Sequence, residues 1–157
     1  MDKNVSYRRK REGKTDYKNR LSLLKSRKPR LIIRKSLRNV QLQLATYNKQ
    51  GDKVMVSSHS NQLKKFGWAS HKGNLQAAYL TGLMLGLKAK SKNVKEAVLD
   101  LGLARSVKGS VLYAALKGAI DSGLNVPHSK DIIPEEKKIA GKDGFKETKE
   151  KILKEKW

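Results

Sequence analysis

The feature that most constrains the fold is the separation of positive charge from apolar residues along the chain. The formal net charge is +22 over 157 residues, and the first 38 residues hold fifteen Lys/Arg against three acidic residues. Apolar residues are concentrated between about 30 and 127, so a core has to form there. The ends are too polar to fold alone. We predict a basic N-terminal arm at 1–26, a globular domain at 27–128 and a charged, partly helical tail at 129–157.

Four strands are expected in the globular domain. Residues 30–35 place three apolar residues between charges, and residues 40–47 alternate between two faces, which is typical of a half-buried strand. A glycine-containing turn leads to a third strand at 53–58, so these three form an antiparallel meander. A short buried strand at 96–101 extends the meander into a mixed sheet.

Two helices accompany this sheet. Asn74 is a good N-cap for a helix whose apolar residues recur every three or four positions, and a basic loop is expected at 88–94. Ser110 is expected to cap a second helix at 111–122, which Gly123 ends. The fold class is therefore α/β, with helices packed against a mixed sheet.

The ends of the chain are expected to be less regular. Residues 1–20 hold almost nothing to bury, and they should be irregular until a partner orders them. A short helix is expected at 19–26. The tail should break at 141–144 and continue as a charged helix at 146–156.

The arm has the composition of a segment that binds RNA. Between Tyr7 and Tyr17, arginines and lysines alternate with hydroxyl side chains and one glycine, Gly13. Arginine binds phosphate in a bidentate manner, tyrosine stacks on unpaired bases, and glycine permits a sharp bend. A plain solubilising or targeting tail is the alternative, because short basic runs are common.

Further basic residues flank the first strand and the second helix. Alternation places Arg30 and Arg34 on one face of the strand and Lys35 on the other. Residues 102–110, with Arg105 and Lys108, lead into a helix N-terminus that suits a phosphate, although an ordinary loop is an equally good interpretation. These positions, together with the arm, give a basic surface that grips one RNA from two sides.

Other chemistry finds little support in the sequence. The chain has no cysteine, and its three histidines lack the spacing of zinc ligands. Asp100 is the only acid placed as a catalytic carboxylate, and a two-metal site needs several converging acids. We expect Asp100 to pair with a basic residue or to cap a loop. We expect no enzymatic activity, cofactor or small-molecule substrate.

The membrane and the secretory route are also disfavoured. The longest apolar stretch, 75–87, is shorter than the ~20 residues that a membrane span needs, and the N-terminus lacks the apolar segment of a signal peptide. With a pI near 10.3, the expected partner is nucleic acid in the cytoplasm.

Several motifs resemble one family of large-subunit ribosomal proteins. The resemblance is carried by Arg-Glu-Gly-Lys-Thr-Asp-Tyr at 11–17, Lys-Pro-Arg-Leu at 28–31, Gly-Trp at 67–68, Ala-Ala-Tyr-Leu-Thr-Gly at 77–82, Leu-Asp-Leu-Gly-Leu at 99–103, Lys-Gly at 117–118 and Val-Pro-His at 126–128. The chain is similar to the archaeal form of the family that binds 5S rRNA, the eighteenth large-subunit protein in bacteria and the fifth in eukaryotes.

The resemblance implies a structural RNA-binding protein of the 50S subunit. It implies binding to 5S rRNA, attachment to 23S rRNA and neighbouring proteins in the central protuberance, and a cytoplasmic location. From the residues and the resemblance together, the expected rRNA contacts are Tyr7, Arg8, Arg9, Lys10, Arg11, Gly13, Lys14, Thr15, Tyr17, Arg20, Arg27, Lys28, Arg30, Arg34, Lys35, Arg38, His71, Lys72, Arg105 and Lys108. A general nucleic-acid binder and a metal-dependent nuclease remain as alternatives, the latter disfavoured by the few acids.

Overall fold

A mixed sheet with two long helices on one face organises the chain in the computed structural model, which describes residues 5–140 and 144–157. The strands are β1 Arg30–Lys35, β2 Val40–Thr46, β3 Lys53–His59 and β4 Val98–Asp100, and the helices are α1 Arg8–Arg11, α2 Tyr17–Lys25, α3 Leu75–Ser91, α4 Val111–Asp121, α5 Glu136–Ala140 and α6 Phe145–Lys154. Short 3-10 helices cover Ser60–Phe66 and Lys130–Ile132. Residues 1–4 of the predicted arm, and 141–143 of the predicted break, lie outside the described residues.

The predicted meander and the mixed sheet are both confirmed. The strand order is β3-β2-β1-β4, with β1 antiparallel to β2, β2 antiparallel to β3, and β1 parallel to β4. A parallel pair needs a long crossover connection, which here runs through α3. The fourth strand is shorter than the predicted 96–101, because the chain before it bonds to Asn125 instead: Asn125 N–H donates to the Lys95 carbonyl and Ala97 N–H donates to the Asn125 carbonyl.

One face of the sheet is apolar because its strands alternate. Leu31 and Ile33 of β1, with Leu42 and Leu44 of β2, are fully buried in the core that the two long helices complete. Burying each such side chain contributes roughly 1.5–3 kcal/mol. The residues between them in sequence point to the opposite face, which the long helices leave uncovered.

Helix α3 begins as predicted and ends later. The Asn74 side chain accepts a hydrogen bond from the Ala77 N–H at 2.7 Å. The predicted loop at 88–94 was wrong at its start, because Ala89 is buried and continues the apolar face for one more turn. Helix α4 follows Ser110, but the predicted cap was wrong, because the Ser110 hydroxyl makes no capping hydrogen bond. The left-handed Gly123 (φ 105°) follows the end of the helix, as predicted.

The two long helices cross with their backbones in close contact. A Cβ on Gly82 would lie 2.0 Å from the carbonyl oxygen of Ala115, and a Cβ on Gly118 would lie 2.0 Å from that of Tyr79. Glycine weakens a helix by about 1 kcal/mol relative to alanine. This cost is accepted because a side chain at either position would block the close approach of the two backbones.

The predicted tail helix is present and packs on α3. Ile139, Phe145 and Ile152 are buried in a second apolar cluster with residues of α3 and of the first 3-10 helix. Trp157 packs on Phe66 with ring centroids 5.9 Å apart. None of the helices in the described part of the chain combines the length and apolar character needed to cross a membrane.

The arm is more regular than the sequence suggested. Helix α1 forms one turn at Arg8–Arg11, and α2 begins at Tyr17 instead of at the predicted 19. The reason for the earlier start is Asp16, whose carboxylate accepts hydrogen bonds from the N–H groups of Lys18 and Asn19. The expectation of irregular chain through residue 20 is therefore wrong for these segments.

Candidate nucleic-acid interface

The arm folds into a small hairpin that presents its charges outward. The rings of Tyr7 and Tyr17 lie 5.2 Å apart, and Arg9 Nε donates to Thr15 Oγ1 at 2.9 Å. Gly13 makes the bend with a φ of 62°, as the sequence predicted. Residues 8–11 and 14 are all exposed, so most of their donors face solvent.

The hairpin lies against the open face of the sheet. One terminal nitrogen of Arg20, on α2, lies 2.8 and 2.9 Å from the two carboxylate oxygens of Asp52, the residue before β3. A cleft between arm and sheet is lined on one side by Arg9, Asn19 and neighbours, and on the other by residues of β1 and β4. The Arg20–Asp52 pair thus fastens the arm to the domain.

Arg30 has a different role from the one expected. It was predicted to contact RNA, but its side chain is 2% exposed and lies between two carboxylates, 2.5 Å from Asp52 and 2.6 Å from Asp100. A buried charge is tolerated only when it is paired and hydrogen-bonded. Arg30 is therefore the centre of an internal ion-pair network, and its buried guanidinium does not face RNA as predicted.

Asp100 completes the network at the other end. One carboxylate oxygen accepts from Arg30, and the other accepts from Arg34 at 3.1 Å and from the Gly102 N–H at 2.9 Å. The expectation that Asp100 pairs with a basic residue or caps a loop is confirmed on both counts. Among residues 5–140 and 144–157, no group of three or more metal-ligating side chains comes together.

The network makes a pH-dependent contribution to stability through Asp52. Burial alone would raise the pKa of Asp52, but hydrogen bonds from Arg20 and Arg30 outweigh it and hold that pKa below its usual value. A carboxyl whose pKa is lowered by folding stabilises the protein above its unfolded pKa, and this stability is lost as the pH falls through the folded pKa.

We therefore expect Asp52→Asn to cost about 1.5–3 kcal/mol of unfolding free energy at pH 6, the range for hydrogen bonds to charged groups. The difference between wild type and variant should shrink as the pH falls below about 4 and through the lowered pKa of Asp52. Urea unfolding across that range measures it. A difference independent of pH would show that Asp52 is not ion-paired in the folded state.

Arg34 is the residue of the network that faces outward. Its side chain is 47% exposed. One terminal nitrogen donates to the carbonyl oxygens of Ile33 and Asp100, and the other donates to the Asp100 carboxylate. These bonds fix the plane of the guanidinium at the surface beside the arm. An arginine oriented in this way is suited to bidentate phosphate recognition.

The turn between β1 and β2 gathers a second group of expected contacts. Lys35 and Arg38 are exposed there. A Cβ on Gly73 would lie 3.2 Å from the carbonyl oxygen of Leu37, so the loop that carries His71 and Lys72 packs against this turn. The structure thereby brings together four predicted residues that are far apart in sequence.

The remaining expected contacts are exposed and lie apart from these groups. Arg27 and Lys28 lie between α2 and β1, where Lys28 pairs with Glu96 at 2.5 Å. Arg105 and Lys108 are exposed on the loop before α4. That loop begins at Gly102, which packs against the Arg34 guanidinium.

The open face of the sheet adds polar groups that were not predicted as contacts. Gln41 and Gln43 of β2 are paired with His59 and Ser57 of β3, and a shallow groove runs from Arg34 to His59. Their alternation with buried residues was visible in the sequence. The sequence did not show that both long helices lie on the other face of the sheet, which leaves these polar side chains uncovered by them.

Comparison with known proteins identifies the family. A family model described as ribosomal large subunit proteins 60S L5 and 50S L18 matches residues 2–96 and 88–129. The chain is 56% identical over 137 residues to a protein of Methanococcus maripaludis named large ribosomal subunit protein uL18, covering 87% of this chain and 71% of that protein. The chain belongs to this family of large-subunit ribosomal proteins.

Family membership confirms the resemblance drawn from the motifs. Members of this family are structural constituents of the large subunit of cytoplasmic ribosomes, and ribosomal RNA is the class of partner that follows. Proteins in general contact RNA through exposed basic residues, and this chain carries many of them.

Proposed function

We propose that this chain binds 5S rRNA through its arm and the open face of its sheet, and that it attaches 5S rRNA to 23S rRNA in the central protuberance, beside neighbouring large-subunit proteins. The proposal rests on the motifs at 11–17 and 28–31 together with family membership. No chemical step is involved, and no cofactor is needed.

One observation carries the proposal. The acids Asp52 and Asp100 lie beneath the surface and fasten Arg20, Arg30 and Arg34, while the basic residues of the arm remain exposed above them. The arm is thus held in one place with its positive charge directed outward. A preformed basic surface loses less conformational entropy when it binds a folded RNA.

The test replaces four exposed arm residues and keeps α2 and the Arg20–Asp52 pair in place. Removing residues 1–20 would cut α2 and the Arg20–Asp52 pair, so substitution is the better design. In the variant R8Q/R9Q/K10Q/R11Q we expect the affinity for 5S rRNA to fall by about 100-fold at 150 mM KCl. The magnitude of the slope of log K against log[KCl] should decrease by about three, because fewer phosphate contacts form and fewer counterions are released on binding. Filter binding across a salt series measures both.

The matched control removes the same charge elsewhere. Lys90, Lys92, Lys137 and Lys138 are exposed and lie outside the arm and the sheet, so K90Q/K92Q/K137Q/K138Q should bind 5S rRNA with nearly the wild-type slope. Equal losses in the two variants would favour the alternative, a general nucleic-acid binder that responds to net charge alone. An unchanged slope in the arm variant would remove the arm from the interface.

A further inference from the structure

Six lysines form a second basic surface in the helical layer of the molecule. Two are in the last turn of the 3-10 helix Ser60–Phe66, one is in the loop before α3, one is near the end of α3, and two are on α6. We call this the lysine patch: Lys64, Lys65, Lys72, Lys88, Lys151 and Lys154. Only Lys72 was among the residues expected from the sequence to contact RNA.

The members of the lysine patch are neighbours in space because the tail docks on the core. Lys65, Lys151 and Lys154 line one groove with Phe66. Lys151 Nζ lies 3.4 Å from the position that a Cβ on Gly67 would take. Lys88 Nζ lies 4.9 Å from the ring centre of Trp157. Residues from the middle of the sequence and from its C-terminal tail therefore build one surface.

The positive charge of the lysine patch is not compensated. Within residues 5–140 and 144–157, none of the six lysines forms an ion pair, and Glu155 is the one acid lining the groove. The pKa of Lys72 is lowered mainly by loss of solvent and to a smaller extent by the adjacent Lys64. The pKa of Lys88 is lowered mainly by burial and to a smaller extent by Lys65. Like charges held together cost free energy unless an anion lies between them.

We propose that the lysine patch binds the phosphate backbone of a second RNA segment, distinct from the segment bound by the arm. The arm lies on the open face of the sheet, whereas the lysine patch is built on α3 and α6, which belong to the helical layer on the other side. The protein thereby has two RNA surfaces on opposite sides of the sheet, which meet at Lys72, and α6 completes the second one. This inference rests on the proposed function, because it assigns residues to the second of two RNA contacts.

The composition of the lysine patch favours RNA over an acidic protein. Lysine is depleted in protein–protein interfaces, whose centres are apolar or aromatic. Here the aromatic residues Phe66 and Trp157 are half-buried against each other and do not project. Mobile ammonium groups around a groove match closely spaced phosphates, which need charge more than a fixed geometry.

The experiment uses the full chain already bound to 5S rRNA. A fluorescein-labelled 20-base-pair RNA duplex is the second probe, titrated into the 1:1 complex at 100 mM KCl and followed by anisotropy. In K64Q/K65Q and in K151Q/K154Q we expect the duplex affinity of the complex to fall about tenfold, with the salt slope reduced by about two. The affinity for 5S rRNA itself should change less than twofold.

The control variant K137Q/K138Q removes two exposed lysines from the same tail and should bind the duplex as wild type does. Several results would overturn the inference: unchanged duplex affinity in both patch variants, an equal loss in the control, or a loss confined to 5S rRNA. Capture of an acidic protein that depends on the patch, with normal duplex binding, would assign the surface to protein instead. Failure of wild type to bind 5S rRNA would instead refute the proposed function.

Discussion

Replacing Asp100 by alanine is expected to lower the free energy of unfolding by about 3–5 kcal/mol, the cost of removing one partner from a buried ion pair. The Arg30 side chain is 2% exposed, so without Asp100 its guanidinium keeps only Asp52 and cannot regain water. The Gly102 N–H loses its acceptor as well. Urea denaturation at pH 7, with the slope of the transition checked for two-state behaviour, measures the loss.

The matched control for this variant is Glu96→Ala. Glu96 forms an equally short ion pair with Lys28, but both side chains of that pair are 49% exposed, so its removal should cost less than about 1 kcal/mol. A large difference in unfolding free energy between the two variants would show that burial determines how much an ion pair contributes to the stability of this protein. Comparable small losses would mean that Arg30 reaches solvent in the folded protein.

The second large loss of stability is expected from substituting a glycine where the two long helices cross. Gly118→Ala is expected to destabilise the protein by about 3 kcal/mol, because the new methyl group would lie 2.0 Å from the Tyr79 carbonyl oxygen and the helices would have to separate. Helix propensity alone predicts a gain of about 1 kcal/mol. The sign of the measured change therefore distinguishes close packing from propensity.

The second glycine of the crossing supplies a test of mechanism. Gly82→Ala presses on the Ala115 carbonyl oxygen of the same crossing, so either substitution alone has to move the helices apart. The double variant should then cost clearly less than the sum of the two single changes, because neighbouring sites that share one backbone shift are not additive. Lys90→Ala, at an exposed position of α3, should be nearly neutral. Full additivity would indicate two independent local clashes.

Most of the local structure was predictable because it follows from local rules. The period of two in β2, the N-cap at Asn74 and the glycine at Gly123 each act within a few residues, and each appears where it was expected. The errors lie at element ends. Helix α3 runs past its predicted end and α2 begins before its predicted start, since burial in one case and capping by Asp16 in the other decide the boundary.

The candidate site was predictable in part. Charge and sequence motifs were enough to predict the exposed basic residues of the arm and of the β1–β2 turn. The bend at Gly13 was predictable because glycine readily adopts a positive φ. The role of Arg30 was not visible, because its partner Asp100 lies 70 residues away in sequence. Nothing in the strand pattern of β1 distinguishes an arginine that meets a buried carboxylate from one that meets solvent.

The sequence by itself therefore determined the family, the α/β elements and the basic character of the arm, since these depend on motifs, periodicity and net charge. The tertiary structure alone decided which basic residues form ion pairs inside the protein and which remain exposed for RNA. It also joined α6 to the first 3-10 helix, so that lysines from distant parts of the chain form one surface. The reason is physical: the pairing of β1 with β4 and the docking of the tail are long-range contacts, and a charge is buried or exposed only once they have formed.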